Sequence, residues 1–151
     1  MTIRVQTEDF DAGAEINRMR LSRGDIGAVA AFIGQVRDVN EGAEVASMTL
    51  EHYPGMTEKA LQNIIEQARQ RWDIFDALII HRIGKLHATD QIVLVLVSGA
   101  HRGEAFAACA FIMDYLKTEA PFWKKEQTSA GERWVEARAT DDAARAHWND
   151  E

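Results

Sequence analysis

The sequence predicts one α+β domain in which a largely antiparallel sheet packs against helices. Segments with a strand pattern and segments with a helix pattern alternate only in part. Several neighbouring strand segments are joined by links that are too short for a parallel crossover. The chain has 151 residues, the usual size of one domain, and its hydrophobic fraction of 46% suffices for one core. We therefore expect residues 1–151 to form a single domain.

The first predicted strands lie between residues 26 and 53. Ile26–Val36 is an apolar run in which Gly27 and Gly34 can mark bulges. Glu44–Tyr53 alternates apolar and polar residues, which is typical of a strand with one buried face. The link between them, Asp38–Ala43, is rich in Asp, Asn and Gly and is predicted to be a polar turn.

An amphipathic helix is predicted directly after Pro54-Gly55. Apolar residues recur from Leu61 to Trp72 at the i, i+3, i+4, i+7 and i+11 positions, so one face of the helix is apolar over about four turns. Two strands follow, Ala77–Ile83 and Gln91–Ser98, and the turn that joins them lies around His87–Asp90.

The second predicted helix, Gly103–Thr118, is apolar on nearly every face, as in a helix that is buried against a sheet or a partner. Pro121 cannot continue it. Two short strands are predicted next, Phe122–Gln127 and Arg133–Ala137, around a turn at Thr128–Glu132.

The distribution of charge limits the classes of function. The chain has 17 basic and 24 acidic residues and a formal net charge of −7, which argues against a nucleic-acid-binding protein. Residues 139–151 form an acidic C-terminal tail with the pattern of a short helix. Three of the five lysines, in contrast, lie close together at positions 117, 124 and 125.

Cysteine usage and hydropathy predict a soluble, cytoplasmic protein. Cys109 is the only cysteine, which excludes an intrachain disulfide or a cysteine-rich metal site and suits a reducing compartment. Met1–Phe10 lacks the apolar core of a signal peptide. The longest unbroken aliphatic run, Ile92–Val97, is too short for a membrane span.

We expect neither a resident metal nor another cofactor. His52, His81 and His87 lie on or beside predicted strands without the spacing of metal ligands. Cys109 lies in the middle of an apolar helix, where no base is available to activate it.

One candidate anion site lies where the strand ending at Ser98 passes into the second helix. Free backbone N–H groups and the helix dipole favour an anion at a helix N-terminus, and His101 and Arg102 would add charged donors. The alternative is a solvated helix start that is capped by Ser98. The residues alone do not decide between the two.

A candidate catalytic pair follows from the lysines. Lys117 ends an apolar stripe of the second helix, and the turn at Pro121 can bring Lys124 back towards it, whereas strand alternation sends Lys125 to the opposite face. Two nearby ammonium groups disfavour each other's charge, which favours a lysine that acts as a base or nucleophile. The alternative for a lone lysine is a side chain that extends to water.

Two arginines could add fixed positive charge for an anionic substrate. Arg37 follows the first strand, and Arg138 follows the last predicted strand. Either one alone is more often a surface residue.

Several multi-residue blocks occur in an order that resembles the catalytic (large) subunit family of molybdopterin synthases. The resemblance extends over about residues 26–148 and leaves the loop at 38–44 without a clear match. The blocks that carry it are Leu50–Met56, Ser98–Phe106, Phe111–Thr118, Ala120–Glu126 and Trp134–Arg138.

The resemblance implies an enzyme that converts cyclic pyranopterin monophosphate into molybdopterin. It implies that sulfur comes from the C-terminal Gly-Gly thiocarboxylate of a small ubiquitin-like subunit. It also implies a homodimer with a small subunit at each end, in which the sites borrow residues across the dimer.

The resemblance also assigns site residues. Lys117 and Lys124 match the family's two key lysines. The residues that match its anionic, substrate-binding pocket are Arg37, His101, Arg102, Lys125, Glu126 and Arg138. The main alternative is a non-enzymatic oligomeric module that binds a phosphorylated ligand or a protein tail. Such a module would explain the anion site but not the lysine pair.

Overall fold

The computed structural model describes residues 1–40, 43–128, 131–135 and 139–150. A short 3-10 turn, Trp148–Asp150, ends the described chain. The elements in chain order are β1 (Thr2–Gln6), α1 (Ala12–Arg20), β2 (Ala28–Gln35), β3 (Val39–Asn40), β4 (Ala43–His52), α2 (Met56–Arg71), β5 (Ile74–Arg82), β6 (Gly84–His87), β7 (Gln91–Gly99), α3 (Arg102–Glu119), β8 (Phe122–Thr128), β9 (Gly131–Val135) and α4 (Ala139–His147).

The strands form two sheets. The first sheet has the order β1-β5-β7-β2, and the second has the order β3-β4-β8-β9 with β6 also paired to β4. Within the described ranges, β1 and β5 are the one parallel pair, and the other pairs are antiparallel. The predicted α+β class with largely antiparallel strands is therefore confirmed, but the strands are divided between two sheets.

The central strands of the first sheet, β5 and β7, are buried on both faces. Val95 of β7 packs with α2 and α3 on one face, whereas its neighbours Leu94 and Leu96 pack with α1 on the other. A sheet that is covered on both sides accepts apolar residues at successive positions. This explains the unbroken aliphatic run Ile92–Val97.

The two longest helices agree with their predicted patterns. The predicted apolar face of α2 is buried, since Leu61, Ile64, Ile65 and Ala68 are each at most 1% exposed. The apolar side chains of α3 are largely buried within this chain, between the first sheet, α2 and α4. Phe106 is the exception among its large apolar residues, with 65% exposure. The apolar character of α3 is thus explained by intrachain packing.

The C-terminal segment packs onto α3. Trp148 is 8% exposed and contacts the rings of Trp72 and Phe111 edge to face. Its indole N–H donates to Asp114 at 2.7 Å, which satisfies the polar atom of a buried tryptophan. Trp123 and Trp134, in contrast, lie on the exposed side of the second sheet.

Several elements differ from the sequence prediction. The N-terminal β1 and α1 had no predicted counterpart, because both segments are short and contain few apolar residues. The predicted turn at 38–43 contains β3, which pairs antiparallel with the start of β4. The strand predicted at 133–137 begins earlier, at Gly131, and residues 136–138 lie outside the described residues. In the described part of the chain, no helix is long and apolar enough to cross a membrane.

Candidate active site

A cavity of about 120 Å³ lies where the C-terminal end of α3 meets the two sheets. Most of its wall is apolar, and its polar side chains are two lysines, one histidine and one glutamine. The residues that line it are Phe32, Gly34, Gln35, His81, Ile92, Val93, Met113, Leu116, Lys117, Ala120, Phe122 and Lys124.

The predicted lysine pair is brought together in this cavity. Met113, Leu116 and Lys117 lie on one stripe of α3, and that stripe forms one wall. The chain leaves α3 at Ala120 in an extended conformation and enters β8 at once. Lys124 then lines the cavity from β8, across from the end of α3.

Strand alternation separates Lys125 from this pair. Lys125 lies on the opposite face of β8, where its Nζ is 2.9 Å from Glu132 and lies over the ring of Trp134 at 5.6 Å from the centroid. The hydrogen bond to Glu132 raises the pKa of Lys125. Its ammonium is thus held on the outer surface of the second sheet, away from the cavity.

Glu126 is on the same face of β8 as Lys124 but does not line the cavity. It is 1% exposed, and its carboxylate accepts a hydrogen bond from Nε of Arg133 at 3.1 Å. A buried carboxylate needs such a partner, because an unpaired buried charge is strongly destabilising. This ion pair links β8 to β9.

His101 and Arg102 lie at the opposite end of α3 from Lys117. His101 is the N-cap residue, Arg102 begins the helix, and both side chains are exposed. At about 1.5 Å of rise per residue, Arg102 and Lys117 are about 22 Å apart along α3. One protomer therefore does not place these residues in the cavity with the lysines.

Ser98 does not cap the helix, because β7 extends through it to Gly99. Ser98 is fully buried, and among the described residues its Oγ has no hydrogen-bond partner. Ser98 precedes the short link between β7 and α3, to which the exposed His101 belongs.

Of the two arginines of the predicted pocket, Arg37 is among the described residues. Arg37 is exposed and follows the buried Val36, just beyond Gln35 at the rim of the cavity. Arg138 lies outside the described residues.

The structure adds His81 to the residues of the candidate site. From the sequence, His81 was weighed only as a possible metal ligand. On β5, alternation places His81 on the same face as Ala77 and Ile79, which face α3. Burial lowers the pKa of His81 to about 3, and the nearby charges of Lys124, His52 and Lys117 act in the same direction. The ring is therefore neutral at physiological pH. Its position on this face was the sequence signal that could have found it.

No group of three or more His, Cys, Asp or Glu side chains within the described ranges is arranged to hold a metal ion. The cavity instead combines apolar walls with two amine groups. That combination suits an anionic reactant. Lysines can transfer protons to or from it and can stabilise the negative charge that develops during the reaction.

Known proteins that resemble this chain agree in sequence and in fold. The sequence model of the family described as MoaE protein matches residues 5–119. The molybdopterin synthase catalytic subunit of Ralstonia nicotianae is 69% identical over 147 residues, which cover 97% of this chain and 84% of that protein.

Two solved structures give the same result. A molybdopterin biosynthesis MoaE protein from Burkholderia ambifaria superposes with a TM-score of 0.82 and 59% identity, and covers 99% of each chain. A molybdopterin synthase from Staphylococcus aureus has a TM-score of 0.80 and 32% identity over 88% of this chain and 96% of that one.

Proposed function

Because the chain belongs to the MoaE protein family, we propose that it is the catalytic subunit of a molybdopterin synthase, a sulfur-transferring enzyme of molybdenum cofactor biosynthesis. The observation that carries the proposal is the cavity in which Lys117 and Lys124 meet. A module that only binds a phosphorylated ligand or a tail needs no such amine pair, and we do not favour it.

The proposed reaction converts cyclic pyranopterin monophosphate into molybdopterin by the insertion of two dithiolene sulfurs. The sulfur donor is the C-terminal thiocarboxylate of a small ubiquitin-like protein. The chain's own thiol is a poor donor, because Cys109 is buried and burial raises its pKa to about 11. A lone, protonated thiol also agrees with a reducing, cytoplasmic setting.

The presence of Lys117 and Lys124 in one cavity supports this chemistry. Once the thiocarboxylate sulfur has bonded to a pterin carbon, water adds to the acyl carbon of the resulting thioester, and a nearby ammonium group stabilises the tetrahedral oxyanion that forms. Cleavage of the C–S bond then releases the partner's tail as a carboxylate and leaves the sulfur on the pterin as a thiolate. A lysine that has lost its proton can accept one as the cyclic phosphate opens and sulfur adds to the pterin. Lys117 and Lys124 face the same space, so each is available to one of these two roles.

Substrate phosphate would be held by residues of a second protomer. His101 and Arg102 carry donors at the N-terminus of α3, which favours an anion. Since they are about 22 Å from Lys117 along the same helix, we propose that each site in a homodimer combines the lysines of one chain with His101 and Arg102 of the other. Arg37 would extend the positive rim, and we assign Arg138 to the same pocket.

The donor reaches the cavity as an extended tail. A thiocarboxylate must come within about 3–3.5 Å of the carbon that it attacks. A folded partner can enter this cavity only with a narrow segment, and terminal glycines let a backbone pass where side chains would clash.

Mass spectrometry of the product tests this function. The purified chain is mixed with cyclic pyranopterin monophosphate and a small ubiquitin-like partner that ends in a thiocarboxylate. Dithiolene should form, and a partner without its last two residues should give none while still binding in part through its globular surface. A product yield that is unaffected by this truncation would contradict the proposed sulfur transfer.

A further inference from the structure

His81 is a polar residue of the cavity to which the reaction described above gives no role. It is 3% exposed and shares the cavity wall with Lys117 and Lys124. A buried polar side chain is costly unless its donors and acceptors are used. The question is therefore which of its two ring nitrogens has a structural partner.

One ring nitrogen is used by the fold. Nδ1 of His81 lies 2.8 Å from the carbonyl oxygen of Arg82. A carbonyl oxygen only accepts hydrogen bonds, so Nδ1 must carry the proton. In a neutral imidazole the other nitrogen, Nε2, is then an acceptor with a free lone pair.

The plane of the ring is also held. The rings of His81 and Phe122 are stacked, with centroids 3.8 Å apart and an interplanar angle of 14°. Phe122 in turn is paired with His52 of β4 in the second sheet. The lone pair of Nε2 therefore has a fixed direction.

The groups that face this ring are cations or bases. Lys124 faces it from β8, Lys117 from α3 and His52 from β4. A buried, uncharged acceptor among two ammonium groups is suited to receive a hydrogen bond from one of them.

Lys124 is the better placed of the two lysines. It follows Phe122 on the same face of β8, about 6.6 Å further along the strand. The charge of Lys124 also has a larger effect on the pKa of His81 than that of Lys117. Both observations place the Lys124 ammonium near the ring that is stacked on Phe122.

We propose that His81 is a positioning residue that acts through Lys124: its Nε2 accepts a hydrogen bond from the Lys124 ammonium and directs that group into the cavity, towards the end of α3. This inference deepens the proposed function and rests on it. Because the imidazole stays neutral, it orients the lysine and leaves proton transfer to the lysines themselves.

Three substitutions of His81 separate this role from a structural one. Phe keeps a stacked ring but has no nitrogen. Gln places an amide oxygen where Nε2 lies, whereas Asn reaches only the position of Nδ1 and can keep the bond to the Arg82 carbonyl. His87→Gln, at an exposed histidine of β6, is the matched control outside the site.

Each variant is assayed for dithiolene formation with the pterin substrate and the thiocarboxylated partner, beside the wild-type chain and Lys117→Ala. We expect His81→Phe to lower kcat about ten- to a hundredfold, the usual effect of losing a hydrogen bond to a charged group. KM for the pterin should change less than about twofold, because substrate binding is not affected. Gln should recover a larger part of kcat than Asn.

The order of the variants decides the inference, even if His81→Phe fails to fold, since Gln and Asn are compared directly. Activity of Gln above that of Asn and Phe supports it. A kcat for His81→Phe equal to that of the wild-type chain, or equal recovery of kcat by Asn and Gln, overturns it. In either case the proposed function stands as long as the wild-type chain turns over. A wild-type chain without turnover would overturn both.

Discussion

Lys117 and Lys124 line one cavity although they belong to different elements, the last turn of α3 and the middle of β8. The link between these elements is short, since Ala120 is extended and β8 starts directly after Pro121. The backbone positions that carry the two amines are therefore set by a helix and a strand that are joined by a short link.

This relationship makes Lys117 the first residue to test. Lys117→Ala should abolish nearly all dithiolene formation and leave the fold intact, because the side chain ends at the cavity rim and is exposed. Lys117→Arg should not restore activity, since a guanidinium keeps its proton. Product formation is measured by mass spectrometry and folding by circular dichroism. Near wild-type activity in the arginine variant would exclude a proton-transfer role for Lys117.

Lys124 should matter much more than its neighbour Lys125. Lys124→Ala is expected to lower the rate at least tenfold, about the effect of removing a charged hydrogen-bond donor. Lys125→Ala removes a surface ion pair with Glu132 and should change the rate less than about twofold. Both are measured in the same product assay. Equal losses would show that alternation along β8 does not select the reactive lysine.

A site that is shared between protomers predicts complementation. Lys117→Ala and the double variant His101→Ala/Arg102→Ala should each be inactive as homodimers. When the two chains are mixed and exchange subunits, half of the dimers carry one intact site, so about a quarter of wild-type activity should return. Light scattering first establishes that the chain is a dimer. Mixing without recovery would place all these residues in one protomer's site.

The buried His81 should make the fold sensitive to mild acid. Its pKa is about 3 in the folded protein, whereas an unfolded chain has a value of about 6.5. The unfolded state therefore binds a proton that the folded state does not, and stability falls as pH falls from about 6.5 towards about 3.

Between about pH 7.5 and pH 5, this linkage should lower the free energy of unfolding by about 2 kcal/mol. His81→Phe should lack this part of the loss. Urea denaturation of both proteins at the two pH values measures it, and the other histidines contribute equally to both. The same pH dependence in the two proteins would mean that His81 is protonated in the fold.

Gly27 should be required at the start of β2. A Cβ there would lie 2.1 Å from the carbonyl oxygen of Ala100, a backbone atom that cannot move aside. Gly27→Ala should therefore lower the free energy of unfolding by about 1–3 kcal/mol. It should also weaken pterin binding, because Ala100 immediately precedes His101. Gly24→Ala is the control, since no atom lies within 4 Å of its Cβ, and its stability should be unchanged.

Much of the fold was predictable because its longer elements have regular patterns. The face of α2 that carries Leu61 and Ile65, the buried α3 and the alternating β8 all agree with their periodicity. The hairpin strand β3 and the N-terminal β1 were missed, since two to five residues carry too little periodicity to be distinguished from a loop.

The candidate site was predictable in part for the same reason. Alternation along the β8 segment is enough to separate Lys124 from Lys125, and the apolar stripe of α3 is enough to place Lys117 at its end. The same reasoning could not assign Glu126, whose buried ion pair with Arg133 depends on the register between β8 and β9.

By itself, the sequence determined the α+β class, the lysine pair and the resemblance of its blocks to one family, because these follow from periodicity and order within short segments. Only the tertiary structure decided that His81 faces the lysines and that Glu126 is buried. Those facts depend on how β5, α3 and β8 pack together. The contacts that fix such packing join residues far apart in the chain, and their energy is spread over many side chains, so no local pattern records them.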